Sequence, residues 1–258
     1  AEIVQLPLSD GGEGLVEIAF KALGGNRKTV STCDPFGRKL SSDYIQLADG
    51  SALIEMAGAG GLMLLDPSEY DPLRASTFGV GLMLLHAIRS GADPIYIGLG
   101  GSATVDGGTG ASAALGMRFL DGTGEMVING GGLGRVQSLD LEGLLELGYS
   151  GRIVFLTDVN NPLYGFNGAA EIFAPQKGAS PAQVRLLSET VAFDGSGFRR
   201  LVGEADLTRL RPGSRCLVKI PTGGIGLKQR KPELRPLTPA DIPAVQALYR
   251  EKVRQGNG

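Results

Sequence analysis

The constraint that bears hardest on this chain is where its glycines fall. There are 41 in 258 residues, about double the usual share. Their richest runs stand beside short apolar stretches. Ser9-Asp10-Gly11-Gly12-Glu13-Gly14 follows a strand-like Ile3-Val4-Gln5-Leu6. Gly98, Gly100, Gly101, Gly107, Gly108 and Gly110 follow the strand-like run that starts at Pro94. Asp158-Val159-Asn160-Asn161-Pro162-Leu163, with Gly165 and Gly168 beyond, follows Arg152 to Thr157. In open α/β sheets ligands bind at the carboxyl ends of strands. Glycine there lets backbone N–H groups approach an anion, and a following helix N-terminus adds a favourable dipole.

The remaining pattern supplies strands and helices to carry these loops. Leu15, Val16, Ile18, Ala19, Ala22 and Leu23 form an apolar helical face, closed by Gly24-Gly25 as a C-cap. Tyr44 to Ala48 and Ser51 to Met56 flank Asp49-Gly50, a strong hairpin signal. Thr77 to Arg89 reads as a helix and Ala111 to Leu115 as a shorter one. Pro181 to Val191 is a third, with Ser180 as N-cap and Pro181 at its first position. Arg152 to Thr157 reads as a buried strand. Strands alternating with helices predict an α/β fold, and 42% hydrophobic residues suffice for a core. The length fits one large domain or two small ones.

Scarce residues narrow the chemistry. His86 is the one histidine, and Cys33 and Cys216 lie far apart. Clustered Cys/His zinc ligation is therefore excluded, and a Ser-His-Asp scheme would depend on His86 alone. No disulfide framework is implied, so a cytoplasmic location is expected. The longest apolar run, Ala57 to Leu65, is too short and glycine-rich to span a bilayer. No membrane partner is expected, and a net charge of -2 gives no hint of nucleic acid. That charge is uneven: residues 199–258 hold 13 Lys+Arg and 5 Asp+Glu, and the rest 12 and 22.

The loop at 98–110 offers Gly100, Gly101, Ser102 and Thr104 to phosphate oxygens, and Asp106 as a carboxylate for Mg²⁺. A plain tight turn is the alternative. It is neither a Walker A loop nor the GxGxxG fingerprint. Asp10 and Glu13 sit among Gly11 and Gly12, where simple helix capping is the alternative. Asp158 ends a strand. Lys177, between Pro175 and Gly178, is expected on an exposed loop, where a lone lysine is usually a solvated charge. None of these loops needs histidine. That suits phosphoryl transfer, which runs on positioning, Mg²⁺, cations and a carboxylate base.

Taken together, these segments resemble the bacterial glycerate kinases. Ser9 to Gly14 is similar to the family's ADGGEGT. Glu55-Met56-Ala57 with Ala59, Gly61 and Leu62 is similar to EMAxAxGL, and Pro72 to Gly81 to NPLxTTSYGTG. Gly98 to Gly108 is similar to IGIGGSATNDGG, and Asp158 to Ala179 to DVxNPLxGxxGAAxxFxPQKGA. The resemblance covers roughly residues 2–193. It implies ATP- and Mg²⁺-dependent phosphorylation of D-glycerate, with the 2-position favoured, by a two-lobed α/β fold with substrate in the cleft. Carried over by position, Asp10 and Glu13 lie near substrate or metal. Gly100, Gly101, Ser102, Thr104 and Asp106 line the phosphate loop. Asp158 and Asn160 face the site, and Lys177 neutralises phosphate charge. Asp10 or Asp158 is expected as the base. A non-catalytic fragment that binds sugar acid or nucleotide, and an inactive remnant, are the competing readings.

There are departures. Val105 stands where the family usually has Asn, which removes a polar group from the loop, and Leu15 replaces a Thr. The family's opening strand and its ITGEGxxDxQTxxGK segment find no counterpart here. One lobe is therefore expected to be incomplete, with exposed sheet edges and poor solubility. Residues 1–193 form the expected core and residues 194–258 a divergent basic tail. Within that tail, residues 234–258 resemble the start of a GNAT acetyltransferase, without its acetyl-CoA loop. A shifted reading frame or a gene join would explain the abrupt change.

Overall fold

The computed structural model describes residue 9 and residues 11–163 and 165–190. The strand expected over Ile3 to Leu6, Asp10, and the whole tail with its GNAT-like segment lie outside the described residues.

The order of elements is α1 (Leu15–Leu23), β1 (Asn26–Cys33), β2 (Lys39–Gln46), β3 (Ala52–Glu55), α2 (Ala57–Gly60) and α3 (Phe78–Arg89). Then come β4 (Ile95–Gly98), α4 (Thr109–Ala114), β5 (Arg118–Asp121), β6 (Val136–Asp140), α5 (Glu142–Leu147), β7 (Ile153–Leu156) and α6 (Ala169–Phe173). Residues 181–190 form a last helix, α7. The main sheet runs β1-β2-β3-β4-β7. β1, β2 and β3 pair antiparallel, while β3, β4 and β7 run parallel. A mixed sheet of this kind is the α/β fold that alternating strands and helices predict.

Alternation along the strands explains how the sheet is covered. Tyr44, Ile54, Ile95 and Ile97 point to one face and meet Val80, Met83 and Leu84 of α3. Ile45, Leu53 and Leu156 point to the other and meet Val16 and Ala19 of α1. Successive side chains of a strand take opposite faces, so two helices bury both sides of the same strands. A separate apolar cluster joins Ala170 and Ala174 to Val184 and Leu187, with Val105 packed against it. This cluster lays α6 and α7 under the 98–110 loop.

Two elements differ from expectation. The apolar pattern gives no sign of β1, yet it pairs with β2 over eight positions. Its sequence, NRKTVSTC, buries only Val30 and Thr32, so an apolar search passes over it. Its charged residues suit an edge. β7, expected to be buried, is only partly so, with Leu156 its one buried residue. Among the described strands it has a neighbour on one side only.

Candidate active site

Three parallel strands bring their ends into register. Glu55 of β3 lies opposite Gly98 of β4, and Gly98 opposite Leu156 of β7. The loops leaving them stay in contact: the Met56 N–H donates to the Gly98 carbonyl at 2.8 Å, and Leu99 to Leu156 at 3.0 Å. The Gly11–Gly14 loop joins the same edge, for the Gly100 N–H donates to the Gly11 carbonyl at 3.1 Å. Glycine is required at Gly100 because a side chain would meet the Gly12 nitrogen at 2.5 Å. At Gly101, the space a Cβ would need is filled by the Glu13 carboxylate. These glycines thus let two loops pack backbone on backbone, a use that glycine content alone does not separate from phosphate approach. The far side of the loop is held by the 60–62 segment, with Leu62 donating to Gly101 and Ala103 to Gly60, each at 2.8 Å.

Lys177 is where the structure departs most from expectation. It is not a solvated loop charge but 6% exposed. The turn Pro175–Lys177, closed by Gly178 in the left-handed region, points it back under the glycine-rich loop. Its Nζ donates to the Ser102 Oγ at 2.9 Å and the Thr104 carbonyl at 2.6 Å. Burial pulls its pKa down from 10.5 to about 8, against the opposing charge of Asp106. It forms no ion pair among the described residues. An ammonium has three protons to donate, and the described residues take two.

Asp106 also differs from expectation. It is 1% exposed, and its carboxylate is occupied from within. Oδ2 accepts from the Thr77 N–H and hydroxyl, both at 2.8 Å, and from the Gly110 N–H at 3.3 Å. Oδ1 accepts from Gly108 at 3.1 Å. The side chain therefore clamps the loop and the start of α4 to the start of α3. Burial raises its pKa, while these bonds pull the other way. A carboxylate so enclosed does not fit the Mg²⁺ ligand expected at this position. Among the described residues no three or more His, Cys, Asp or Glu gather as a metal cluster. Val105 likewise turns from the loop's polar side and packs on Leu133 and Leu163.

The other expected residues are distributed around this edge. Gly11 and Gly12 are buried, Thr104 is buried, and Ser102 is half-buried. Glu13, Asp158 and Asn160 are exposed. Asp158 lies two residues beyond the end of β7. Glu13 does not cap α1, whose N-cap is Gly14 without a side-chain bond. Two residues given no role in the sequence reading prove central, Glu55 and Thr77. Glu55 carried the same signal as Asp158, a carboxylate closing an apolar strand. Thr77 carried none, since its role is to meet a distant aspartate. A cavity of about 510 Å³ lined by Phe36, Arg38, Arg74 and Gln183, among others, includes none of these residues.

A family model described as the glycerate kinase family matches residues 1–207. The chain belongs to the glycerate kinase family. It is 42% identical over 194 residues to a glycerate 2-kinase of Escherichia coli K12, covering 74% of this chain and 51% of that protein. It is 40% identical over 186 residues to a glycerate kinase of Halalkalibacterium halodurans, covering 71% and 49%. A crystal structure described as a glycerate kinase 2 from Salmonella typhimurium LT2 superimposes with a TM-score of 0.70 at 37% identity, covering 81% of this chain and 54% of that one. The chain thus spans about half the length of the curated relatives it matches. Within that half lie the strand ends, the glycine-rich loop and Lys177. Among the described residues no helix is long and apolar enough to cross a membrane.

Proposed function

We propose that this chain carries the phosphate-handling edge of a glycerate kinase, which transfers phosphate from ATP to the 2-hydroxyl of D-glycerate. The observation that supports this best is Lys177. A buried ammonium without an ion pair is costly, and such groups concentrate at functional sites. Here it lies beneath a loop of glycine, serine and threonine at the carboxyl ends of parallel strands. An anion over that loop would supply the partner that the described residues do not. Phosphoryl transfer asks the protein mainly to position the reactants and to spread charge over the phosphoryl oxygens. In this reading Lys177 and the Ser102 hydroxyl stabilise that charge, and Gly100, Gly101 and Thr104 shape the cradle. Gly11 and Gly12 hold Glu13 beside it, with Asn160 at the opposite loop. Asp158, exposed at a strand end, accepts the glycerate hydroxyl proton, or Asp10 does so in its place. Mg²⁺ would accompany ATP, and the described residues assign it no protein ligand.

The test is release of ADP, followed by a coupled assay, with D-glycerate and Mg·ATP on the full chain. Turnover that falls at least a hundredfold in both Lys177→Met and Asp158→Asn supports the assignment. Turnover undiminished in Lys177→Met refutes it, because the loop would then need no buried cation. An Asp158→Asn enzyme with full activity moves the base to Asp10, which Asp10→Asn then checks.

A further inference from the structure

Glu55 has no part in the reading above, yet its carboxylate occupies the middle of the strand-end edge. It closes β3, opposite Gly98. Its Oε2 accepts the Val16 N–H at 3.0 Å, and the neighbouring Gly14 and Leu15 N–H groups favour its charged form. These are the opening N–H groups of α1, which every helix leaves without internal partners. The usual remedy is an N-cap side chain, and Gly14 has none. A strand residue 39 positions further along the chain supplies it instead.

Two consequences follow. The N-terminus of α1 is already filled by a carboxylate, so it is not an open anion site. Phosphate is left to the Lys177 side of the loop. Glu55 also anchors the stretch that leads into α1, in which Glu13 lies against Gly101 and Gly11 bonds Gly100. We propose that Glu55 is a positioning residue, whose carboxylate holds the first turn of α1 so that Glu13 and the Gly11–Gly12 backbone stay seated on the glycine-rich loop. Only the kinetic part of its test rests on the glycerate kinase reading.

The experiment uses the full chain with Glu55→Gln and Glu55→Asp, the second keeping the charge but shortening its reach. Amide hydrogen exchange at Val16 is expected to quicken at least tenfold in both variants, with the Met83 and Leu84 amides of α3 unchanged. In the ADP-release assay kcat is expected to fall at least tenfold while KM for each substrate stays within twofold. A merely structural role would lower activity only with the folded fraction, which thermal melting reads separately. Unchanged Val16 protection in both variants overturns the proposal. So does unchanged kcat in an active parent's Glu55→Gln form, and so does failure of both variants to fold, which makes Glu55 a folding residue. If the parent itself shows no turnover, the kinase reading falls and the exchange measurement alone decides the proposal.

Discussion

Replacing Lys177 by methionine separates stability from anion binding. The stem stays and the charge goes. The drop in pKa from 10.5 to about 8 means that the fold holds the charged form at a cost of about 3 kcal/mol. Methionine removes that cost but leaves the Thr104 carbonyl and Ser102 hydroxyl short of a donor, which costs about 1–3 kcal/mol. The two nearly offset, so Lys177→Met should melt within a few degrees of the parent at pH 7. The sign with pH follows from proton counts. Between about pH 8 and the ordinary lysine value the folded chain binds fewer protons than the unfolded one, so the Lys177 contribution to stability rises with pH across that window. Below it the full cost is present. The parent should therefore gain on Lys177→Met as pH rises from 7 to 10. A bound anion pairs with the ammonium and raises its pKa again. At pH 8.5 a lysine of pKa 8 is about one-quarter protonated, so binding ATP should take up about three-quarters of a proton. At pH 6.5 it should take up almost none. Calorimetric titration with ATP in two buffers of different ionisation enthalpy measures this directly. Uptake that is equal at both pH values, or ATP affinity unaltered in Lys177→Met, would refute the reasoning.

Asp106→Asn should be among the most damaging single changes. One oxygen becomes an amide facing N–H and O–H donors, and breaking such a buried charged network costs about 3–5 kcal/mol; urea unfolding would show the midpoint fall. Gly100→Ala should cost roughly 1–3 kcal/mol through overpacking against Gly12, again read by urea midpoint, whereas Gly37→Ala, with open space at its Cβ, pays only the cost of its left-handed backbone. Burial first, then the neighbouring Glu13 charge, raises the Glu55 pKa, and the α1 N–H bonds only partly counter them. A raised carboxylate favours the fold at low pH and loses that contribution as pH rises through its folded value. Glu55→Gln should accordingly melt no lower than the parent at pH 7, and a large drop would mean that the bonds to α1 outweigh burial.

How much of this was legible beforehand depends on the range of the interaction. Helices α1 and α3, the Asp49-Gly50 hairpin and strand β4 follow from local periodicity and turn chemistry, and they fall close to where the residues suggest. β1 does not, because its inward-facing residues include a threonine and its stability comes from pairing with β2. The strand-end site was legible as a place, since glycines after apolar runs mark the carboxyl edge of a sheet. The roles within it were not. From residue type and neighbours alone, Asp106 reads as a metal ligand and Lys177 as a solvated charge, because sequence does not show burial; only the family resemblance gives Lys177 a phosphate-neutralising role. Burial reverses both: the enclosed carboxylate becomes a clamp, and the enclosed ammonium becomes a cation without an ion pair among the described residues.

The same logic gives the edge an electrostatic direction. On the α1 side lie Glu55, whose carboxylate accepts the Val16 N–H, and Glu13, exposed against Gly101. Beneath Ser102 and Thr104 lies Lys177, with no ion pair among the described residues. Like charges repel and unlike charges attract across a few ångströms with energies that matter once water is thinned. In the proposed reading, a phosphate entering the loop would therefore be drawn toward Ser102 and away from Glu13. Neither end was assembled by neighbours in sequence: Glu55 reaches back 39 residues to α1, and Lys177 reaches back 75 to Ser102. The polarity is a property of the sheet that brings these strand ends together, so a change that shifts β3 against β4 should disturb anion binding without touching any residue of the loop. Ile54→Ala, buried between those strands and α3, is that change. It should cost about 2–5 kcal/mol of stability and weaken ATP binding more than the folded fraction accounts for. Binding that tracks the folded fraction alone would show that the loop holds its polarity without the strands.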